Sequence, residues 1–339
     1  NNQSKEFKDL KDLITDICFK IQKKTLVIIE TTLPPGTCEN FIIPLMRKNL
    51  KRRGINFDKE VYFGFSFERI MPGKNYVDSV INNYRCYSGI NRKSKQEIKK
   101  FLKKFINYKR FPLSELPSLK DCEAAKILEN SYRAINIALI DEWTKYSIKE
   151  NLNLNKIIKA IKKRETHNNL MRPGLGVGGY CLTKDPAFMS INKGSINETI
   201  KFPIIHSALK INKKMPQTSI ELLRKKIGKF KEKKILIMGS SYKADVADNR
   251  NSPTNYLINF FKNRKINFAI DDPFQKKTVN NYKNFDVVLF CVNHSNYKYL
   301  KFNNFSSRAH FFDLNSVLTN KQINLIKKKK LKVDILGGD

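Results

Sequence analysis

The spacing of apolar residues predicts a helix and several buried strands in the first part of the chain. Residues Glu6 to Ile21 carry apolar side chains at helical intervals, whereas the run Thr25 to Thr32, TLVIIETT, shows no alternation. Such a run is typical of a strand that is buried on both faces of a parallel sheet. Similar runs predict further strands at Val61 to Ser66 and at Tyr84 to Ile90.

Polar residues follow the first two predicted strands. Thr31 and Thr32 end the first strand, and Glu68 comes directly after the second. Ligands of open parallel sheets lie beyond the carboxyl ends of the strands, so Thr31 and Glu68 are candidates for a site. For Glu68 the alternative is an ordinary surface carboxylate.

The longest helical pattern in the chain runs from Asp121 to Glu150. Its apolar positions cover more than one stripe, which predicts a helix buried between domains or subunits. Lys126 and Asn130 are four residues apart and therefore share one face. Burying either side chain costs free energy unless it has a hydrogen-bond partner or a role in a site. The alternatives are a snorkelling lysine and an asparagine on the helix surface. Shorter helices are predicted at Asn155 to Lys163 and at Ile200 to Met215.

Strands and helices alternate again after Lys234, which predicts a second, doubly wound α/β domain. The predicted strands of this region are Lys234 to Met238, Asn267 to Ile270, Asp286 to Val292, His310 to Asp313 and Lys332 to Ile335.

The formal net charge of +34 raises the possibility of a nucleic-acid-binding protein. The lysines are scattered through every segment, and no RNP, zinc-finger or basic-zipper pattern accompanies them. A basic nucleic-acid or polyanion-binding α/β protein stays open as an alternative. Six cysteines without a CxxC pair predict free thiols in a reducing, cytoplasmic setting, without a metal site. No apolar run approaches about 18 residues, so no membrane span is predicted.

Four glycines precede a cysteine in the stretch RPGLGVGGYCLTKDPAF, Arg172 to Phe188. They are Gly174, Gly176, Gly178 and Gly179. Glycines let a backbone approach a ligand closely, and a thiol behind them, Cys181, with a cation and a carboxylate nearby is typical of an activated nucleophile. The alternative is a flexible surface loop with an ordinary cysteine. No predicted strand leads into the GxGxxG match at Gly174 to Gly179, so we interpret it as accidental.

Five blocks of the sequence resemble the nucleotide-sugar 6-dehydrogenases, the UDP-glucose and UDP-N-acetylmannosamine dehydrogenase group. In family order they are ETTLPPGT (30–37), FERIMPG (67–73), EAAKILENSYRAINIALIDE (123–142), PGLGVGGYCLTKD (173–185) and GSSYKADVADNRNSP (239–253). The resemblance covers nearly the whole chain and departs from the usual pattern at Phe67 and Thr183, where many members have proline.

The resemblance implies an α/β fold of three parts. These are an NAD-binding Rossmann domain (1–115), a central helical dimerisation domain with one long helix (116–215) and a C-terminal α/β domain that binds the nucleotide sugar (216–339). The family's first domain opens with a GxGxxG strand-turn-helix unit that this sequence lacks. We therefore expect a truncated remnant of that domain without its first βαβαβ unit, with the pyrophosphate site of NAD absent and activity in doubt.

The resemblance also implies a reaction, the oxidation of the C6 hydroxyl of a nucleotide-linked hexose to a carboxylate by two NAD molecules in turn. Cys181 matches the nucleophile that forms a thiohemiacetal and then a thioester, and Lys126 matches the lysine that stabilises the oxyanion. Asn130 would position the same oxygen. Asp185 matches the carboxylate that orients water, and Glu68 the base for thioester hydrolysis.

Binding roles follow in the same way. Thr31 and Glu68 match residues beside the nicotinamide, and Arg250 matches an arginine that reaches the cofactor. The glycines of 174–179, with Lys184 and Lys243, match the substrate site. A homodimer through the long helix is expected. The sugar stays open among UDP-glucose, UDP-N-acetylglucosamine, UDP-N-acetylmannosamine and a GDP-linked sugar, with a lean toward the N-acetylhexosamines. A hydroxyacid or 6-phosphogluconate-type dehydrogenase, which needs no thiol, stays open as well.

Overall fold

The structure is a computed structural model that describes residues 2–71, 73, 75–190 and 202–338, with backbone only for 2–6 and 190. The first residues of the helix predicted at Ile200 to Met215 lie outside this range. The described residues form two compact units, one made of 2–129 with 187–190 and the other of 130–186 with 202–338.

Helices and strands follow one another largely as the apolar pattern predicts. In chain order they are α1 (Asn2–Lys20), β1 (Leu26–Ile29), a π-helix (Cys38–Ile42), α2 (Ile43–Lys51), α3 (Phe57–Glu60), β2 (Tyr62–Phe65), α4 (Tyr76–Ile81), β3 (Cys86–Gly89), α5 (Arg92–Leu102), β4 (Ser114–Glu115), α6 (Leu119–Glu150), α7 (Leu154–Ile161), α8 (Cys181–Lys184), α9 (Pro203–Ile227), β5 (Ile235–Met238), α10 (Thr254–Asn263), β6 (Phe268–Asp271), β7 (Val287–Phe290), β8 (His310–Asp313), α11 (Asn320–Lys328) and β9 (Lys332–Ile335).

The first unit contains a four-stranded sheet in the order β1-β2-β3-β4. Strands β1 and β2 are parallel, with Ile29 opposite Phe65, whereas β3 runs antiparallel to β2. The carboxyl ends of β1 and β2 therefore lie at the same edge. Residues of α1, β1, β2 and the start of α6 form the core of this unit, which explains why the first two strands are continuously apolar.

A buried carboxylate fastens α6 to the chain that follows β1. Glu123 is fully buried, and its side chain accepts hydrogen bonds from the backbone N–H groups of Gly36 and, at 2.8 Å, of Cys38. Burial raises the pKa of Glu123, although these two hydrogen bonds favour its ionised form. Gly36 has a φ of +88°, which a glycine adopts without strain.

The second unit contains an all-parallel sheet in the order β6-β5-β7-β8-β9. This confirms the doubly wound α/β domain predicted after Lys234. The central strands β5 and β7 are buried at every position, which is why they read as unbroken apolar runs.

Helix α9 is longer than the sequence pattern indicates. It continues through Pro216 to Ile227, so the predicted end at Met215 was wrong. A proline inside a helix removes one hydrogen bond, but packing and two bonds to α6 hold α9 together here. Asn212 Nδ2 donates to the carbonyl of Ala134 at 2.9 Å, and Thr218 donates to Asp141 at 3.0 Å. The proposed division between 215 and 216 falls inside this helix, and the domain boundaries stay a prediction.

None of the helices in the described part of the chain combines the length and the apolar character needed to cross a bilayer.

Candidate active site

The carboxyl edge of β1 and β2 brings three of the predicted site residues into the first unit. Thr31 is exposed just beyond β1, and Glu68 is partly exposed just beyond β2. Lys126 on α6 is buried, and its ammonium group donates to the backbone carbonyl of Glu68 at 2.7 Å. The ammonium nitrogen lies 3.8 Å from the Glu68 carboxylate. Lys126 is therefore not a snorkelling lysine: its charge is held inside the unit against the segment that carries Glu68.

The segment after β2 has a second attachment to α6. Arg69 forms a two-pronged ion pair with Glu129, at 3.0 and 2.8 Å. Planar pairs of this kind fix orientation as well as distance. Glu129 lies three residues after Lys126, so the segment 67–69 is bonded to this turn of α6 at two points.

A second group of predicted residues assembles within the other unit. Asn130 Nδ2 donates to Asp185 Oδ2 at 2.7 Å, and Asp185 is buried. Cys181 is exposed at the start of α8, whereas Cys18, Cys38, Cys122 and Cys291 are buried and Cys86 is half-buried. Of the six cysteines, the one in the glycine-rich stretch is thus the accessible thiol.

Thr183, one of the two departures from the family pattern, stabilises the turn that carries Cys181. Its hydroxyl donates to the carbonyl of Gly179 at 2.8 Å and lies 3.1 Å from that of Tyr180. Such local bonds are usual for threonine at the beginning of a short helix. The turn that carries Cys181 is therefore stabilised by Thr183, although this position lacks the proline of many family members.

Three of the four glycines before Cys181 pack against the segment 239–253 of the same unit, whereas Gly174 faces the side chain of Asn315. A side chain at Gly178 would come within 2.8 Å of Tyr242 and 3.0 Å of the Asn251 carbonyl, and one at Gly179 within 3.0 Å of the Tyr242 ring. Gly176, with a φ of +148°, faces Pro253 in the same way. The Gly179 N–H donates to the carbonyl of Arg250 at 3.4 Å. Close approach of two segments explains these glycines, and their contact with a substrate stays a prediction.

The buried side chains of Asp272 and His294 form hydrogen bonds with the backbone of the segment 239–253. The Asp272 carboxylate accepts from the backbone N–H groups of Ser240 and Ser241 at 2.6 and 2.9 Å. Burial alone would raise the pKa of Asp272, but the nearby His294 ring and these N–H groups together hold it well below its usual range. His294 accepts at Nδ1 from the Asp245 N–H at 3.0 Å.

The predicted ligand contacts on this segment differ in their surroundings. Lys243 is half-buried, and burial together with the positive charge of Arg133 lowers its pKa. The neighbouring positive charges of Lys243 and Arg133 would attract an anion to this part of the unit. Arg250 is largely exposed, forms an ion pair with Asp248 and lies 5.1 Å from the centre of the Tyr180 ring. Its predicted contact with the cofactor stays a prediction, as does the substrate contact of Lys184, which is half-buried in α8.

Sequence reasoning missed the residues that support these groups. Glu123 and Phe67 are buried beside the group in the first unit, and Asp272 and Tyr242 are buried or partly buried beside the group in the second. Glu123 stands in the block 123–142, one of the two most specific of the five, so its presence there was a usable signal. For Asp272 the only signal in the sequence was the position of a carboxylate just after a predicted strand.

Three family descriptions match successive parts of the chain. Residues 1–106 match the NAD-binding domain, 120–214 the central domain and 236–320 the UDP-binding domain, all of the UDP-glucose/GDP-mannose dehydrogenase family. The chain belongs to this family. It is accordingly an oxidoreductase that uses NAD.

Individual relatives agree with this assignment. The UDP-N-acetyl-D-mannosamine dehydrogenase of Methanococcus aeolicus is 29% identical over 327 residues, which cover 92% of this chain and 69% of the relative. That of Methanococcus vannielii is 28% identical and covers 96% and 74%. A solved structure of UDP-D-ManNAc dehydrogenase from Pyrococcus horikoshii superposes with a TM-score of 0.78 at 25% identity, over 97% of this chain and 76% of that one.

The match of residues 1–106 corrects one expectation. The missing GxGxxG unit predicted a truncated remnant of the NAD-binding domain, and doubt about activity followed from that prediction. Residues 1–106 match the family's NAD-binding domain, so the prediction of a truncated remnant was wrong. A glycine fingerprint is one element of such a domain, and β1, β2 and the polar residues at their carboxyl edge are others.

The edge beyond β1 and β2 fits the nicotinamide end of NAD. It is an edge of parallel strands with the exposed Thr31, the half-buried Thr32 and the partly exposed Glu68, and it lies next to the buried ammonium of Lys126. Parallel sheets bind nucleotides at this edge. Thr31 and Glu68 would face the nicotinamide, which accepts hydride from the carbon that is oxidised.

Proposed function

We propose that the chain oxidises the C6 hydroxyl of a UDP-linked N-acetylhexosamine, with UDP-N-acetyl-D-mannosamine as the foremost candidate, to the corresponding uronic acid. NAD-dependent oxidation of nucleotide sugars to uronic acids is the activity of its family relatives, which include UDP-N-acetyl-D-mannosamine and UDP-glucose dehydrogenases. The observation that carries the proposal is the single exposed thiol, Cys181, in the same unit as the buried Asp185–Asn130 pair.

Lys126 would serve the first oxidation, from alcohol to aldehyde. An ammonium group held in a buried position stabilises negative charge on the substrate oxygen more strongly than the same group in water. The bond to the Glu68 carbonyl uses one of its three N–H donors, which leaves donors for a substrate oxygen.

Cys181 would serve the second oxidation. Its sulfur bonds to the aldehyde carbon, and the aldehyde oxygen becomes the hydroxyl of a thiohemiacetal. Transfer of hydride from that carbon to a second NAD, with loss of the hydroxyl proton to water, then gives a thioester and NADH. The sulfur remains bonded to the carbon throughout, so the aldehyde is not released before it is oxidised.

Asp185 and Glu68 would serve hydrolysis of the thioester. Water adds to the thioester carbon, loses a proton to a carboxylate, and the carbon–sulfur bond breaks to release the acid and the thiol. Asn130 fixes the orientation of Asp185 through the 2.7 Å bond. The partly exposed Glu68 is a second carboxylate that water reaches.

The other two function classes are less well supported. A hydroxyacid or 6-phosphogluconate-type dehydrogenase needs no thiol, whereas the exposed Cys181 lies within residues 120–214, which match the central domain of the UDP-glucose/GDP-mannose dehydrogenase family. The polyanion-binding alternative rests on net charge alone, and the family matches do not favour it.

A panel of nucleotide sugars tests the proposal. The purified protein is supplied with NAD and with UDP-N-acetylmannosamine, UDP-N-acetylglucosamine, UDP-glucose or GDP-mannose, while NADH and the uronic acid are measured. We expect the highest kcat/KM with UDP-N-acetylmannosamine and two NADH per acid. A preference for UDP-glucose would overturn the N-acetylhexosamine assignment, and failure to oxidise any of the four would overturn the proposed function.

We also propose a homodimer through α6. The helix exposes apolar or aromatic side chains at intervals of seven residues, at Tyr132, Leu139 and Tyr146. Positions seven apart share a helix face and form the seam of helix pairs. A second copy of the same helix would cover this stripe in an isologous contact. Because none of the six cysteines is joined in a disulfide, we place the protein in a reducing compartment such as the cytoplasm.

Leu139→Glu is expected to break the proposed dimer, because it places a carboxylate in the middle of the stripe. Sedimentation velocity should show the dimer for the unaltered protein and the monomer mass for the variant. Lys149→Glu, at an exposed polar position of the same helix, is the matched control and should stay dimeric. A Leu139→Glu variant that sediments like the unaltered protein would place the interface elsewhere.

A further inference from the structure

Phe67 lies between the proposed catalytic lysine and an arginine at the end of β2. Its side chain is buried. The Lys126 ammonium nitrogen is 5.6 Å from the centre of its ring, and the Arg69 guanidinium carbon is 5.0 Å from it. Cations at such distances from an aromatic face are attracted by its negative electrostatic potential. The resemblance puts proline at this position in many relatives, so the ring is a feature of this chain.

The backbone around Phe67 holds the ring in place. The thiol of Cys122, which lies on α6, donates to the backbone carbonyl of Phe65 at 3.7 Å. Burial raises the pKa of the Cys122 thiol to about 12, so the sulfur keeps the proton that it donates. Arg69 is itself fixed by its pair with Glu129, which lies on the same helix as Lys126. The ring is thus attached to α6 on both sides along the chain.

An aromatic face has a particular advantage as a neighbour of a lysine that must bind a substrate oxygen. A carboxylate in contact with the ammonium would take its N–H donors and neutralise its charge. The Glu68 carboxylate forms only a long ion pair with the ammonium group, at 3.8 Å, and the ammonium group donates its hydrogen bond to the Glu68 carbonyl at 2.7 Å. The ring attracts the charge without a lone pair that competes for a donor. It also limits the many rotamers that a free lysine side chain adopts.

We propose that Phe67 is a positioning residue for Lys126: the face of its ring holds the ammonium group in the orientation that meets the oxyanion. This inference rests on the proposed function, which gives Lys126 that role.

Fluorinated phenylalanines at position 67 test the inference. Successive fluorine atoms weaken the attraction of the ring for cations with little change in its size. With mono-, di- and trifluorophenylalanine we expect kcat to fall stepwise, to about one tenth for the last, while KM for the nucleotide sugar stays constant. The same series at Phe65 is the matched control. Phe65 is fully buried in the same core, and no described cation lies over its ring. We expect no trend in kcat there.

Two further measurements separate the possible outcomes. Repeating the series in an Arg69→Met background should leave the slope of log kcat unchanged if the ring acts through Lys126; a slope that vanishes would show that it acts through Arg69 and overturn the inference. A kcat that is flat across the series, or that falls only together with the melting temperature, would also overturn it. Lys126→Met shows which idea has failed: if that variant keeps full kcat, the role of Lys126 is wrong; if it loses kcat while the series is flat, Phe67 alone is wrongly assigned.

Discussion

Cys181→Ala is expected to lower the rate of uronic acid formation by at least about 10³-fold, because none of the other five cysteines exposes a thiol that could hold the aldehyde for the second oxidation. The first oxidation needs no thiol. The variant should therefore still oxidise the alcohol to the aldehyde. It should form one NADH per sugar consumed instead of two NADH per acid. Mass spectrometry of the sugar product, together with NADH absorbance, measures both quantities.

The other cysteines supply the controls for this result. Cys291 is fully buried in the same unit, and burial raises the pKa of its thiol. Cys291→Ala should lose some stability but keep two NADH per acid. Iodoacetamide should modify Cys181 first and abolish acid formation in step with that modification. If Cys181→Ala still makes acid at the normal rate, the thioester route is wrong, and a hydrated aldehyde would have to be the form that is oxidised.

Lys126→Met should lower kcat by about 10²- to 10³-fold, the usual effect of removing one group that stabilises an oxyanion. Methionine has nearly the same length and no charge, so it fits the buried site without leaving an unpaired ammonium. KM for the nucleotide sugar should change little, because the lost interaction strengthens only as charge develops. Steady-state kinetics and a melting curve measure the two effects separately.

Lys120→Met is the matched control for this substitution, since Lys120 lies on the same helix but is exposed. It should leave kcat unaltered. An equal loss of kcat in both variants would mean that net charge on α6, rather than the ammonium beside Glu68, affects the rate. A Lys126→Met protein with full kcat and normal melting would remove Lys126 from the proposed chemistry.

Local patterns were informative about the strands and about the two groups of site residues. Strands β1, β5 and β7 are continuously apolar because both of their faces are covered, and that property is visible in four or five consecutive residues. Asn130 and Lys126 were chosen for their spacing on one helix and their chemistry. The structure pairs the first with Asp185 and the second with the Glu68 segment.

Local patterns were misleading where a distant contact outweighs them. Pro216 is a helix breaker by itself, yet α9 continues because its side chains are fixed against α6. The glycines before Cys181 were interpreted as room for a ligand, whereas much of that room is filled by Tyr242 and Pro253. A sequence window around either feature does not contain the partner.

The sequence by itself determined the types of most elements, the family and the candidate nucleophile, Cys181, because each depends on residues that are close together in the chain. Only the tertiary structure decided how the reactive groups are supported. Lys126 meets a carbonyl 58 positions away, and Glu123 meets an amide 85 positions away. Contacts over such separations leave no periodic signal, because they depend on how strands and helices pack and not on the spacing of neighbours. Phe67 illustrates the difference. In the sequence it is a departure from a motif, and in the fold the Lys126 ammonium nitrogen lies 5.6 Å from the centre of its ring.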